Sequence, residues 1–181
     1  MKRFVVTLAI VFAGSLVVPA FASADSATAE YEFELEHPNV SQASNGDTVA
    51  VTGSGEFSVH AKSASGGGSF THTFSGGGSV TGSWTVSKLI EYQSYGCGVV
   101  LGNPIPANLC GGALKLAVHL EATVGGQTME RDGILTIFCI IGPNPPNNHD
   151  DPSGEGITLV VQGFINFNKI VSGMNVYIKT S

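Results

Sequence analysis

Apolar and polar residues alternate along most of this chain with a period of two. The clearest case opens the pattern: Tyr31, Phe33 and Leu35 alternate with Glu32, Glu34 and Glu36, which predicts a strand with one buried and one acidic face. Pro38 is expected to end that strand, and Asn45-Gly46 marks a turn. From Thr48 onward the apolar positions are Val49, Val51, Phe57, Val59 and Ala61, with Gly53 and Gly55 in the same phase. This predicts one long strand that bends at its glycines.

Two glycine-rich stretches follow, residues 65–69 and 76–78, each read as a loop before a short alternating run. The first leads into Phe70, His72 and Phe74, the second into Val80, Gly82, Trp84 and Val86. Gly66-Gly67-Gly68-Ser69 is echoed by Gly76-Gly77-Gly78-Ser79, so the two copies predict hairpins with shared turn chemistry rather than a solenoid. Lys88 falls on the apolar phase of the Trp84 strand, and a bulge or strand end there keeps its charge out of the core.

Residues 93–112 read as a long irregular connection. Alternation returns in Leu114, Leu116, Val118, Leu120, Ala122 and Val124, opposite Lys115, His119 and Glu121, and Gly125-Gly126 turns the chain. Residues 133–142 then read Gly-Ile-Leu-Thr-Ile-Phe-Cys-Ile-Ile-Gly, apolar on both faces, as expected of a central strand covered on both sides. A polar loop over 143–155 precedes two closing strands, 156–166 and 170–179. Without an amphipathic helix, the pattern predicts an all-β, single-domain antiparallel sandwich or closed barrel of about eight strands.

The first 24 residues break the pattern and are read separately. Lys2 and Arg3 precede an apolar run, Pro19 interrupts it, and Ala22-Ser23-Ala24 forms a small-residue cleavage site before Asp25. These are the parts of a secretory signal peptide, leaving 25–181 as the single β-domain, with no transmembrane helix. The expected location is secreted, either extracellular or periplasmic. Cleavage would leave 6 basic residues against 14 acidic ones, a net charge of −8. With Arg131 and five scattered lysines as its cations, the mature chain has no basic patch for nucleic acid.

Export permits disulfides, and three cysteines leave at least one unpaired within the chain. Cys97 and Cys110 share one connection, so their pairing demands the least strand geometry. A bridge from Cys139 is the alternative, although that residue lies in the most apolar strand, where a free Cys acts as a small hydrophobe. Asn39-Val40-Ser41 is a glycosylation sequon, expected by chance in a chain this rich in Asn and Ser.

His60 and His72 flank one hairpin, but the register that pairs Phe57 with Phe74 and Ala61 with Phe70 turns His72 inward, beside Val59, and His60 outward. They therefore do not chelate one metal. Asp150, Asp151 and Glu155, within a cluster from Asn147 onward, are oxygen donors suited to calcium, but their spacing is not that of an EF-hand, and a solvated loop is the simpler reading. No Gly-x-Ser-x-Gly elbow or His-Glu-x-x-His motif occurs, and the glycine triplets do not open a helix to cradle phosphate. Glu91, Glu121 and Glu155 are carboxylates without a catalytic pattern.

The expected function is binding or surface contact by an exported, non-enzymatic β-domain. Its 97–110 and 150–155 loops would present groups to a glycan or cell-surface polymer. One alternative is an exported small-molecule enzyme using a barrel cavity lined by His72, Trp84 and Tyr92. A second is a small outer-membrane barrel.

Overall fold

The computed structural model describes residues 29–143, 145 and 154–181. The expected signal peptide, Asp150 and Asp151 lie outside them. The strands are β1 (Glu30–Ala43), β2 (Thr48–Ser58), β3 (Ser63–Thr73), β4 (Ser79–Cys97), β5 (Val99–Val100), β6 (Asn103–Pro104), β7 (Leu109–Val124), β8 (Gln127–Cys139), β9 (Gly156–Val161), β10 (Ile165–Ser172) and β11 (Asn175–Lys179).

Eight of these are antiparallel staves of one ring. β1, β2, β3, β4, β7, β8, β9 and β10 pair in that order, and β10 returns to β1. The fold is therefore all-β, a sheet closed on itself, in which the β3–β4 ladder covers Gly67–Thr73 and Ser79–Thr85. β5 and β6 form a small ribbon between β4 and β7.

β11 continues the path of β10 but exchanges one neighbour. β10 lies between β9 and β1, whereas β11 lies between β1 and the start of β7, at Leu109 and Cys110. One end of the ring is consequently closed by β11. At the other end four connections meet, at residues 44–47, 74–78, 125–126 and 162–164.

Alternation decides what lies inside. Tyr31, Phe33 and Leu35 point inward and are buried, as are Leu114, Leu116 and Val118 on β7 and Leu135, Ile137 and Cys139 on β8. The acidic partners Glu32, Glu34 and Glu36 are exposed outside. An eight-stranded barrel has an interior just wide enough to be filled by such side chains.

Several local expectations are corrected. Pro38 does not end β1: the strand absorbs it in a register shift between Leu35 and Asn39 and continues to Ala43. Residues 65–69 are not a loop but part of β3, paired along β2, and the turn falls at 59–62 instead. The reason is steric. A Cβ added at Gly66 would sit 2.6 Å from the Gly55 backbone, one at Gly67 2.5 Å from the Trp84 carbonyl oxygen and one at Gly68 2.6 Å from the Gly53 backbone. Glycine here lets β3 lie close against its neighbouring strands.

The β2–β3 register is accordingly Val49 with His72, Val51 with Phe70 and Phe57 with Ala64. His72 still points inward, because the expected and observed registers share the same parity. His60 is exposed in the turn. The bulge expected near Lys88 lies between Val86 and Lys88.

The long connection is shorter than expected, since β4 runs to Cys97 and β7 starts at Leu109. The end of the chain forms three strands instead of two, with a turn at 162–164 where Gly163 has φ 66°. β8 is also not covered on both sides. Its inward residues Leu135, Ile137 and Cys139 are fully buried, but Ile134 and Phe138 on the outer face are half-buried. Among the described residues no helix is long and apolar enough to cross a membrane.

Candidate functional site: the open end of the barrel

The two ends of the barrel differ in chemistry. At the β11 end the rings of Tyr31, Phe57, Tyr92 and Tyr177 pack together, with centroids 4.7 Å apart for Phe57 and Tyr92 and 5.6 Å for Tyr92 and Tyr177. The Tyr177 hydroxyl donates to the Ile137 carbonyl at 2.9 Å, and the Tyr92 hydroxyl to the Gly111 carbonyl at 3.1 Å. Burial raises both phenols well above their ordinary pKa. These hydroxyls are spent on backbone carbonyls, and the rings form a plug.

The disulfide Cys97–Cys110 joins residues paired across β4 and β7 at this same end. Cys139 is free and fully buried, with its thiol 3.0 Å from the Asn175 carbonyl. Burial pushes its pKa up to about 12, which removes the thiolate needed for nucleophilic work.

The opposite end holds a cavity of about 270 Å³. Its wall is contributed stave by stave: Val49 from β2, Phe70 and His72 from β3, Val80 from β4, Leu120 and Ala122 from β7. Met129 and Arg131 of β8, Leu159 of β9 and Phe167 of β10 complete it, and Phe164 rises from the β9–β10 turn. Beneath it Val51, Trp84, Val118 and Leu135 pack without space for a water molecule. The cavity thus has a floor, and the barrel is not a channel.

Its rim is unusually apolar for exposed positions. Phe164 is 63% exposed, Val124 47% and Met129 41%. Single exposed apolar residues are ordinary, but a cluster of them around a cavity marks an interaction site.

One polar pair interrupts this lining. His72 is 7% exposed, and its Nε2 lies 2.9 Å from Asp47 Oδ2. Asp47 also accepts the Ser75 backbone N–H at 2.9 Å, and its own N–H donates to Asn45 Oδ1 at 3.1 Å. The Ser75 bond first, and the His72 contact second, lower the Asp47 carboxyl to about 2. The His72 ring packs against Phe74 at 4.4 Å and Phe167 at 5.2 Å. The pair therefore anchors an imidazole in an apolar wall, and His72 Nδ1 has no hydrogen bond among the described residues.

Of the three side chains expected to line a cavity, only His72 does. Trp84 lies in the floor, 2% exposed, with its indole N–H donated to the Thr52 carbonyl at 3.0 Å. Tyr92 belongs to the plug at the far end. His119 is on the outer surface, 3.0 Å from Asp132, whose hydrogen bond raises the imidazole pKa.

Glu155 accepts the Asn175 N–H at 2.6 Å, and burial raises its pKa. Among the described residues no three His, Cys, Asp or Glu side chains gather as metal ligands. The sequon residue Asn39 is fully buried; its Nδ2 donates to the His37 carbonyl at 2.9 Å, and its Oδ1 accepts from Asn175 at 3.0 Å.

Sequence reasoning missed Asp47, Arg131 and Phe164. Arg131 and Met129 had a readable signal, because both share the odd phase of Leu135 and Ile137 on β8. Asp47 had none, since its partner lies 25 residues away. The chain matches no protein-family model, and no characterised protein or solved structure is detectably similar to it.

Proposed function

We propose that this is an exported binding protein whose ligand is a small, largely apolar molecule held in the open end of the barrel. The observation that carries this reading is the floored apolar cavity with its ring of exposed apolar rim residues. Ligand sites are typically concave, mostly apolar and largely preformed, with volumes from roughly 300 Å³ upward. At about 270 Å³ this cavity falls just below that range, which suits a small ligand. The lining favours an apolar ligand over a glycan, and the mouth over the 97–110 loop, which lies at the plugged end.

Export is supported by the signal-like residues 1–24 and by a disulfide, which persists in oxidising compartments. The outer face of β1 carries glutamates and that of β3 mainly Ser and Thr. A membrane-spanning barrel carries an apolar outer band, so this pattern favours a water-soluble one.

A second reading rests on one observation, the Asp47-anchored imidazole in the cavity wall. An imidazole held in that way is suited to general base catalysis. One pair of variants separates the two. Ala122→Trp fills the cavity, and binding of the fluorescent apolar probe N-phenyl-1-naphthylamine should be lost while circular dichroism is unchanged. His72→Gln should leave probe binding within a few-fold. Probe binding that survives Ala122→Trp would overturn the binding reading, and turnover of a bound molecule that His72→Gln abolishes would establish the enzyme.

A further inference from the structure

The charge distribution around the mouth says what kind of apolar molecule it holds. Among the described residues no Asp or Glu lines the cavity, and none of the five described lysines does. The charged side chain in the lining is Arg131, the one arginine among the described residues. It lies opposite Leu120 in the β7–β8 register and shares that residue's inward phase, but sits at the exposed rim.

Arg131 is not consumed by an ion pair. Its Nη1 donates to the Glu130 backbone carbonyl at 2.7 Å, and among the described residues no carboxylate lies within 4.0 Å of it. The flanking acids Glu130 and Asp132 have the opposite phase and turn outward to His119, at 3.9 and 3.0 Å. Asp47 is held by His72 and the Ser75 N–H. In a chain of net charge −6, the mouth thus presents one free guanidinium above an apolar cavity.

We infer that the ligand is an anionic amphiphile, an alkyl carboxylate whose tail fills the cavity and whose head is bound by Arg131. This rests on the binding reading above and specifies its ligand. The planar guanidinium fork matches a carboxylate in two parallel hydrogen bonds, a geometry that an alcohol or amine head cannot reproduce. The cavity of about 270 Å³ admits a tail on the order of nine heavy atoms, taking ~30 Å³ as one water molecule's share of volume.

The test is displacement of N-phenyl-1-naphthylamine by decanoate, decan-1-ol and decylamine, each below its micelle concentration, at low salt and neutral pH. Decanoate should compete best. Arg131→Gln should weaken decanoate by roughly tenfold or more, the scale of a charge-assisted hydrogen bond, and leave decan-1-ol within twofold. Arg131→Lys should recover only part of the loss. Decanoate and decan-1-ol competing equally, or Arg131→Gln leaving decanoate unchanged, would overturn the carboxylate inference while the apolar site stands. Failure of the probe and all three compounds to bind would remove the site and the inference together.

Discussion

Asp47 and His72 meet at 2.9 Å, which ties the turn between β1 and β2 to the inner wall of β3. The contact joins residues 25 positions apart, and both side chains are 9% exposed. Because the same carboxylate also takes the Ser75 N–H at 2.9 Å, one acid fixes two of the four connections at the mouth.

Stability should follow the ionisation of that acid. The folded-state pKa of Asp47 is depressed to about 2 from an ordinary 3.8, so its contribution is present above the ordinary value and is lost as pH falls towards 2. Asp47→Asn should therefore lower the melting temperature at pH 7, and the gap from the parent protein should close between about pH 4 and pH 2. Thermal unfolding across that range is the check. A gap of constant size would show that ionisation of Asp47 does not matter.

The disulfide should stabilise the fold without serving the cavity. Cys97 and Cys110 are 13 residues apart, and closing a loop of about 15 residues is worth about 3 kcal/mol in the chain-entropy model. Replacing both by Ser should cost on that order in urea unfolding, with probe binding at the other end retained. Cys139 should stay inert to thiol reagents in the native protein and react once it is unfolded.

Core substitutions should separate the two faces of β8. Ile137 is fully buried, so Ile137→Ala should cost about 2–5 kcal/mol. Phe138, on the half-buried outer face, should cost less than about 3 kcal/mol on truncation to Ala. Equal losses measured by denaturant would mean that the outer face of this strand is as well covered as the inner one.

Asn39 should carry no glycan in folded protein expressed in a glycosylating host, and intact mass reports this directly. Asn39→Ala removes the acceptor for the Asn175 amide and should cost about 1–3 kcal/mol. A glycan-modified, fully folded species would contradict the buried hydrogen bonds of that side chain.

How much of this was legible in the sequence is clearest from the repeated Gly-Gly-Gly-Ser. Both copies read as loops, yet 66–68 lies inside β3 and 76–78 is a turn. Gly77 and Gly78 have φ of 97° and 88° with nothing near an added Cβ, which is turn chemistry. A Cβ at Gly66 would instead lie 2.6 Å from the Gly55 backbone and 3.2 Å from the Phe33 ring. Only the partner strand distinguishes the two, and a local pattern does not contain it.

Local alternation did reveal the inward residues of β1 and β7, because parity survives an error in register, but on β8 both faces read as apolar and alternation did not choose between them. The Cys97–Cys110 bridge was legible for a different reason, the place of both cysteines in one connection. Alternation could not reveal the Asp47–His72 pair or the closed end, which depend on which strands become neighbours. The choice of barrel over sandwich likewise lay in the return of β10 to β1.

That return also sets an order of assembly. Most staves meet their neighbours in sequence, so β1 to β4 and β7 to β10 can form as successive hairpins whose loop-closure cost is small. The join between β1 and the β10–β11 path is different: the Asn39–Asn175 bond across it spans 136 residues. It is the seam of the molecule, where two half-built curls must find each other late. Until they do, β1 and β10 both present bare edges. Asn175 stitches that seam: its Nδ2 lies 2.9–3.1 Å from three acceptors, Asn39 Oδ1 and the carbonyls of Phe138 and Gly156, among which its two hydrogens are shared, so that β1, β8 and β9 are fastened at a single side chain. The residue that finishes the chain's architecture is thus one with no part in its cavity.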